Sequence, residues 1–199
     1  MSRIITGSAK GARLITPQGS QTRPTTDRVR EALFSSLSTW AGTAAEDPAE
    51  QLPGLAVLDL FAGSGALGLE AASRGADPVT WVEKDHGVAA VIKQNQKHTR
   101  LSGRIVTASV RNFLAQPAAH ANDVILLDPP YELSNDELVT LMATALAHGY
   151  LLPDGIFVVE RSVRVGEPDW PGGLELSWTR RYGESCLYFC RAAEGNKDD

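Results

Sequence analysis

The feature that most constrains the fold of this chain is a regular alternation of short apolar runs with amphipathic runs, which begins near residue 55. Nearly continuous apolar strands separated by segments of helical spacing are typical of a parallel sheet covered by helices on both faces. After Pro168 the pattern changes to two strands joined by Gly183, which predicts an antiparallel hairpin at the edge of the sheet. The fold class is therefore predicted as α/β and doubly wound. The five apolar runs are LAVLDLF, PVTWVEK, RIVTAS, DVILLD and GIFVVERS.

The first 54 residues have a different character. RIITGSAKGARLITP predicts a β-hairpin with strands at residues 3–6 and 12–16, and TTDRVREALFSSLSTW predicts a helix that Thr26 or Asp27 caps. We expect Arg28 and Arg30 to lie away from the apolar stripe of this helix. We divide the chain into the hairpin and helix (1–40), a linker (41–54), the sheet domain (55–192) and an acidic tail (193–199).

Charge is distributed unevenly. The net charge is −5, yet residues 1–40 contain six cations against two acids, a net of +4, which leaves −9 for the rest. This pattern favours localised contact with phosphate groups, although a solvated segment would have the same composition. The cations are Arg3, Lys10, Arg13, Arg23, Arg28 and Arg30.

Several classes of protein and site are disfavoured. No apolar run approaches the ~20 residues of a membrane span, and the N-terminus lacks a signal-peptide core, so we expect a cytoplasmic protein without a membrane partner. The four histidines are scattered without the spacing of metal ligands, so we expect no metal site. Cys186 and Cys190 are expected to be buried free thiols.

A glycine motif follows the first predicted strand. In LDLFAGSGALGLE, Gly63, Gly65 and Gly68 form G-x-G-x-x-G between a strand and a helix, where the backbone can approach a ligand closely. Together with Glu83 this motif also fits a dinucleotide site, so an NAD-dependent oxidoreductase is one alternative.

The position of Asp59 weighs against a dinucleotide. This carboxylate lies four residues before the first glycine and would repel a pyrophosphate, whereas a ligand with an ammonium and a sulfonium would be attracted. Glu83 ends the second strand and can accept hydrogen bonds from both hydroxyls of a ribose. The two acids indicate an S-adenosylmethionine pocket, and Asp85 either joins it or caps the next helix.

The fourth strand ends in Asp128-Pro129-Pro130-Tyr131, and its neighbour in such a sheet is the first strand. The Asp128 carboxylate and the Pro129 carbonyl can accept the two hydrogens of an exocyclic base amine. The prolines fix that carbonyl in place, and Tyr131 offers a ring face to an unstacked base. An ordinary turn would account for this tetrapeptide alone, but the glycine loop beside it favours methylation of a base amine.

Three segments, RPTTDRVREALFSSL, VLDLFAGSGALGLEAASRGA and LLDPPY, resemble in this order the RsmD-type bacterial methyltransferases, over about residues 3–191. The resemblance implies a seven-stranded Rossmann-like methyltransferase fold with an N-terminal hairpin that helps to hold RNA. It also implies transfer of a methyl group from S-adenosylmethionine to the N2 amine of one guanine in 16S rRNA. The catalytic residues would be Asp128, Pro129, Pro130 and Tyr131. The cofactor-binding residues would be Asp59, Phe61, Gly63, Ser64, Gly65, Glu83, Ser109 and Val110.

This chain departs from the family pattern after the third strand. Relatives often have an acidic or amide residue near the adenine at this point, and this chain has TASVRNF. Here the Ser109 hydroxyl and the Val110 amide remain available to the ring. We hypothesise that the six N-terminal cations position rRNA through its phosphates. Because the net charge is negative, the preferred substrate is expected to be a wholly or partly assembled small ribosomal subunit.

Three other functions stay open at this point. An adenine-N6 or cytosine-N4 DNA methyltransferase would use the same corner, although the chain has no separate target-recognition domain. The oxidoreductase is disfavoured by Asp59. A cofactor-binding RNA chaperone without catalysis would not need Asp128.

Overall fold

The computed structural model describes residues 2–17 and 26–193, which form two β-sheets and five α-helices. The strands are β1 (Ser2–Arg3), β2 (Arg13–Leu14), β3 (Val57–Leu60), β4 (Val79–Glu83), β5 (Arg104–Thr107), β6 (Asn122–Leu127), β7 (Leu151–Ser162), β8 (Leu174–Tyr182) and β9 (Ser185–Ala192). The helices are α1 (Asp27–Trp40), α2 (Ala66–Ser73), α3 (His86–Thr99), α4 (Val110–Leu114) and α5 (Asn135–Ala147).

The main sheet has seven strands in the order β5-β4-β3-β6-β7-β9-β8. Strands β3 to β7 are parallel, and the β8–β9 hairpin joins antiparallel to β7. The chain first builds outward from β3 and then returns to place β6 on its other side, so the switch point lies between β3 and β6. The predicted fold class, the adjacency of the first and fourth strands of the parallel sheet, and the edge hairpin are confirmed.

Two apolar cores lie on opposite faces of this sheet. Side chains alternate along each strand, so Val57, Leu126 and Val158 join the core beneath α1, α2, α3 and the N-terminal hairpin. Leu58 and Val159 join the other core, beneath α4 and α5. We call these the first and the second face of the sheet.

The N-terminal elements are present, with the β-strands of the hairpin shorter than expected. Helix α1 begins after Thr26, whose hydroxyl accepts a hydrogen bond from the Val29 amide at 3.3 Å. Within residues 41–54, Leu52 is fully buried and its amide donates to the Arg74 carbonyl at 2.8 Å, so this segment packs against the end of α2. The division of the chain into domains remains a prediction.

Some sequence-based expectations concern cysteines, metals and membranes. Cys186 and Cys190 are buried free thiols, as predicted. Across residues 2–17 and 26–193, the structure shows no cluster of three His, Cys, Asp or Glu side chains suited to a metal ion. No helix in the same ranges is long and apolar enough to span a membrane. Arg23, the rest of residues 18–25, and residues 194–199 lie outside the part that the structure describes.

The expectation that Arg30 lies away from the apolar face of α1 is wrong. Its side chain is 1% exposed and donates to the Arg3 carbonyl at 2.6 Å and to Asp27 at 2.9 Å. Arg30 is one turn from Leu33 and Phe34 on the helix surface, so it enters the core, where hydrogen bonds and ion pairs compensate its charge. It joins β1 to α1 and is not placed to meet phosphates.

A fully buried carboxylate, Glu70 of α2, organises this region. It accepts hydrogen bonds from the Ile5 amide at 2.7 Å and the Thr6 amide at 3.1 Å, and from Arg74 Nε at 3.0 Å. Its Oε2 also lies 3.9 Å from Arg30 Nε. One side chain therefore fixes the hairpin and two arginines to the first face.

We predict that Glu70→Ala lowers the free energy of unfolding by about 3–5 kcal/mol, because it leaves Arg74 Nε and two backbone amides without their acceptor and removes the nearby counter-charge of the buried Arg30. Urea unfolding followed by circular dichroism measures this change. Glu46→Ala, at an exposed position, is the control and should be nearly neutral. Equal stabilities of the two variants would contradict the role of Glu70.

Candidate active site

A cavity of about 580 Å³ opens at the carboxyl ends of the parallel strands. Residues that follow β3, β4, β6 and β7 line it, which is the expected place for a ligand in a doubly wound sheet. A second cavity of about 830 Å³ adjoins it, and Tyr131, Glu160 and Ser162 line both. The volume of the first cavity is suited to a ligand of nucleoside size.

Asp59 lies at the floor of the cavity, 1% exposed, on the first face of β3. Its Oδ2 accepts a hydrogen bond from the Gly68 amide at 2.8 Å, in the first turn of α2. Gly65, the N-cap residue of α2, has no side chain to cap the helix, so Asp59 supplies the hydrogen-bond acceptor from the strand. Burial raises the pKa of Asp59 from 3.8 to about 7, against the opposing effect of the Gly68 hydrogen bond and with a smaller contribution from Glu83.

The glycine loop depends on the absence of side chains at two positions. Gly65 adopts a φ of 80°, and a Cβ there would stand 2.9 Å from Ile92. At Gly68 a Cβ would lie 2.3 Å from Trp81 Nε1, so α2 packs directly against β4. Phe61, at the start of the loop, adopts a φ of 63°, which is unusual for an aromatic residue and marks strain at the cavity wall.

Glu83 holds the glycine loop against the end of β4. Its two carboxylate oxygens accept from the Gly63 amide and the Asp85 amide, each at 2.9 Å. Asp85 in turn caps α3 by accepting from the Val88 amide at 2.8 Å. Ser109 caps α4 in the same way and also lines the cavity. Glu83 lines the cavity, and a carboxylate that accepts two amides retains lone pairs for a further donor.

The Asp-Pro-Pro-Tyr corner stands next to the glycine loop, because β6 pairs directly with β3 and Leu126 is the partner of Asp59. Asp128 is half-buried and Pro129 is buried, whereas Tyr131 is 57% exposed. All four residues of the corner line the cavity that Asp59 also lines. The structure thus brings together the two motifs that the sequence separates by about 60 residues.

Asn95, a residue that sequence reasoning missed, ties the N-terminal arm, which the structure describes over residues 2–17, to the glycine loop. Its side-chain amide exchanges two hydrogen bonds with the backbone of Ile15, at 2.8 and 3.0 Å, and donates to the Ser64 carbonyl at 3.0 Å. The next two residues of the arm, Thr16 and Pro17, line the cavity. An asparagine within a helical run carries no local signal of such a role.

Arg161, also missed, secures the loop that leaves the corner. It is 4% exposed, and its Nη2 donates to the Leu133 carbonyl at 2.7 Å and to Asn135 Oδ1 at 3.2 Å. Burial lowers its pKa, which the nearby Asp128 carboxylate partly offsets. Since Arg161 follows a continuous apolar run, its sequence position suggested only the end of a strand.

The N-terminal cations occupy different places. Arg3 and Arg13 face each other across the hairpin, and both are exposed, as is Arg28 in the first turn of α1. Lys10 belongs to the hairpin turn, where the Ser8 amide donates to the Ser73 carbonyl at the far end of α2. Because Ser73 lies at the opposite end of α2 from the glycine loop, the turn that contains Lys10 lies on the side of α2 away from that loop.

The acidic and apolar side chains that line the cavity fit S-adenosylmethionine. The Asp59 carboxylate suits an ammonium group, and the Glu83 carboxylate suits the hydroxyls of a ribose. The glycine loop leaves room beside these two acids, because a Cβ on Gly63 would meet no atom within 4 Å. Phe61, Val82 and Val110 supply apolar surface for a flat ring.

Comparison with known proteins identifies the family. The profile of a family described as "Conserved hypothetical protein 95" matches residues 2–191. Ribosomal RNA small subunit methyltransferase D of Escherichia coli strain K12 is 34% identical, over 98% of this chain and 93% of its own length. The protein of that name from Haemophilus influenzae is 33% identical, over 89% and 84%.

Solved structures agree with this assignment. The yhhF protein of Escherichia coli superposes with a TM-score of 0.80 at 30% identity, over 96% of this chain and 97% of that one. A hypothetical protein of Thermus thermophilus gives a TM-score of 0.78 at 32% identity, over 96% and 100%. The chain therefore belongs to the RsmD family of S-adenosylmethionine-dependent methyltransferases.

Proposed function

We propose that this protein methylates the exocyclic N2 amine of a guanine in 16S rRNA. The observation that carries this proposal is the single cavity that both the Asp59 glycine loop and the Asp128 corner line. The similarity to enzymes named ribosomal RNA small subunit methyltransferase D supports rRNA as the substrate.

The cofactor would lie between the ends of β3 and β4. Asp59 would attract its ammonium group, and Glu83 would accept from its ribose hydroxyls while keeping Gly63 in place. Phe61, Ser64 and Gly65 would line the same side, and Ser109 and Val110 would meet the adenine. When bound, S-adenosylmethionine supplies an electrophilic methyl group on a sulfonium.

The corner would prepare the base amine for attack. Asp128 would accept one N–H and the Pro129 carbonyl the other, which orients the nitrogen lone pair toward the methyl carbon. The amine would take the methyl group that the bound cofactor supplies, and Asp128, which accepts one of its N–H groups, would receive the proton that the alkylated amine releases, because alkylation makes that amine acidic. Pro130 keeps the turn rigid, and Tyr131 is exposed enough to stack on a base removed from its helix.

The experiment that tests this function supplies labelled S-adenosylmethionine with naked 16S rRNA, assembled small subunits, large subunits and DNA, and maps the modified base by mass spectrometry. We expect N2-methylguanine in small-subunit RNA, with faster transfer to assembled or partly assembled subunits than to naked RNA. Label on DNA at adenine N6 or cytosine N4, or on no nucleic acid, would contradict the proposal.

In this assay Asp128→Ala should lower kcat at least about 100-fold, because an interaction made in the transition state is lost. Binding of S-adenosylhomocysteine, measured by calorimetry, should change little. Asp154→Ala is the matched control, since Asp154 is exposed near the amino end of β7 and should retain full activity. Full activity of the Asp128 variant would exclude the corner from catalysis.

The raised pKa of Asp59 predicts opposite effects on stability and on cofactor binding. Because the folded protein holds this proton to about pH 7 and the unfolded chain only to about pH 4, the stability of the wild type decreases between these values. Asp59→Asn should match the wild type near pH 4 and be up to about 4 kcal/mol more stable at pH 8.

The Asp59→Asn substitution should also abolish the pH dependence of S-adenosylhomocysteine binding. We expect the wild type to bind S-adenosylhomocysteine about tenfold more tightly at pH 8 than at pH 6, since the cofactor amine requires an ionised Asp59. Calorimetry at the two pH values measures this, and Asp154→Asn is the control. Binding by the Asp59 variant as tight as that of the wild type at pH 8 would refute the assignment.

We also propose that rRNA phosphates are held by Arg3, Arg13 and Arg28, together with Arg23 of the segment that the structure does not describe. Arg13→Ala and Arg28→Ala should each weaken RNA binding and reduce the slope of log K against log salt by about 0.7–0.9. Lys10→Ala, in the hairpin turn away from the glycine loop, should have a smaller effect. Filter binding over a series of salt concentrations measures the slopes. Equal slopes for the wild type and all variants would contradict the proposal that these arginines bind phosphates.

A further inference from the structure

We propose that Glu160 selects guanine, by accepting a hydrogen bond from the ring nitrogen N1 beside the methylated amine. This inference rests on the proposed function of the same cavity. It assigns a specificity-determining role to a side chain that the motifs did not single out.

The register of the sheet places Glu160 beside the catalytic corner. Strand β7 pairs in parallel with β6, with Leu126 opposite Val158 and Leu127 opposite Val159. The next residues along the chain are Asp128, just past the end of β6, and Glu160, within β7. Neighbouring strands are about 4.8 Å apart, so these two carboxylates leave the sheet at the same level and side by side.

Side-chain alternation puts the two residues on the same face. Leu126 and Val158 both join the first-face core, and the residue two positions further along a strand lies on the same side. The same alternation applies to Asp59, whose neighbour Val57 is also in that core, and to Glu83, which follows Trp81. Four adjacent strands thus present one acid each, on one face and at one edge.

Three of these acids have a part in the proposed function, and Glu160 is the fourth. It lines both the cofactor cavity and the adjoining cavity, together with Tyr131. A base stacked on Tyr131, with its amine at Asp128, would therefore bring a neighbouring atom of the same base edge to Glu160. Glu160 is half-buried, which strengthens its hydrogen bonds relative to those of a solvated carboxylate.

The chemistry of the base edges determines what this carboxylate prefers. In guanine the N2 amine is adjacent to N1–H, a donor that a carboxylate accepts with a charge-assisted hydrogen bond. In adenine and cytosine the ring nitrogen beside the exocyclic amine carries a lone pair, which a carboxylate repels. An acid next to the amine site thus favours guanine N2 and disfavours both adenine N6 and cytosine N4.

The test uses small-subunit RNA in which the mapped target guanine is replaced by 2-aminopurine, which keeps the 2-amine but has a lone pair at N1. The ratio of kcat/KM for guanine to kcat/KM for 2-aminopurine is compared among the wild type, Glu160→Gln and Glu175→Gln. Glu175 is an exposed acid on β8 outside both cavities and serves as the matched control.

We expect Glu160→Gln to lower kcat/KM for guanine about ten- to hundredfold, as loss of a charged acceptor predicts. Transfer to 2-aminopurine should fall less or rise, because the amide can turn its NH₂ toward the lone pair of N1, so the ratio drops at least about tenfold. Glu175→Gln should leave the ratio unchanged.

An unchanged ratio in Glu160→Gln, whether both activities fall together or neither falls, would overturn the proposal, because a merely structural role lowers both equally. Failure of the proposed function is distinguishable. In that case the wild type itself forms no N2-methylguanine in small-subunit RNA.

Discussion

The parallel pairing of β6 between β3 and β7 is the constraint on which the site depends. Pairing fixes the level at which each strand ends, and alternation fixes the face on which each terminal side chain emerges. A slip of one residue in any of these strands would move its acid to the opposite face, beneath α4 and α5. The continuous apolar runs that specify the sheet therefore also specify the positions of the carboxylates.

Asp59 shows how the site departs from a phosphate-binding loop of similar sequence. The start of α2, which binds a pyrophosphate in dinucleotide folds, is here occupied by a carboxylate from within the protein. Its burial raises the pKa to about 7, so the neutral form is well populated near neutral pH, and a nearby cation would favour the ionised form. In the function that we propose, the site sacrifices stability for selectivity toward a positively charged ligand.

The sequence predicts the elements of the sheet and the two motifs, because apolar periodicity and strand ends are local properties. It does not predict Arg30 correctly, since the buried Glu70 that accompanies it is 40 residues away and becomes its neighbour only after α2 packs on α1. Asn95 and Arg161 were missed for the same reason. Most of their partners are backbone carbonyls and amides of distant segments, which leave no trace in the residue pattern.

The distribution of charge suggests how a base enters this cavity. Four acids at one edge of the sheet create a negative field that repels phosphates, whereas the exposed arginines of the arm attract them. Nucleic acid backbone would therefore remain at the arm, and only an unstacked base, which is neutral, could reach the corner. Since Asn95 and Glu70 fix the arm to α3 and α2, the distance between the proposed phosphate contacts and the methyl donor would be set by the folded protein before substrate binds.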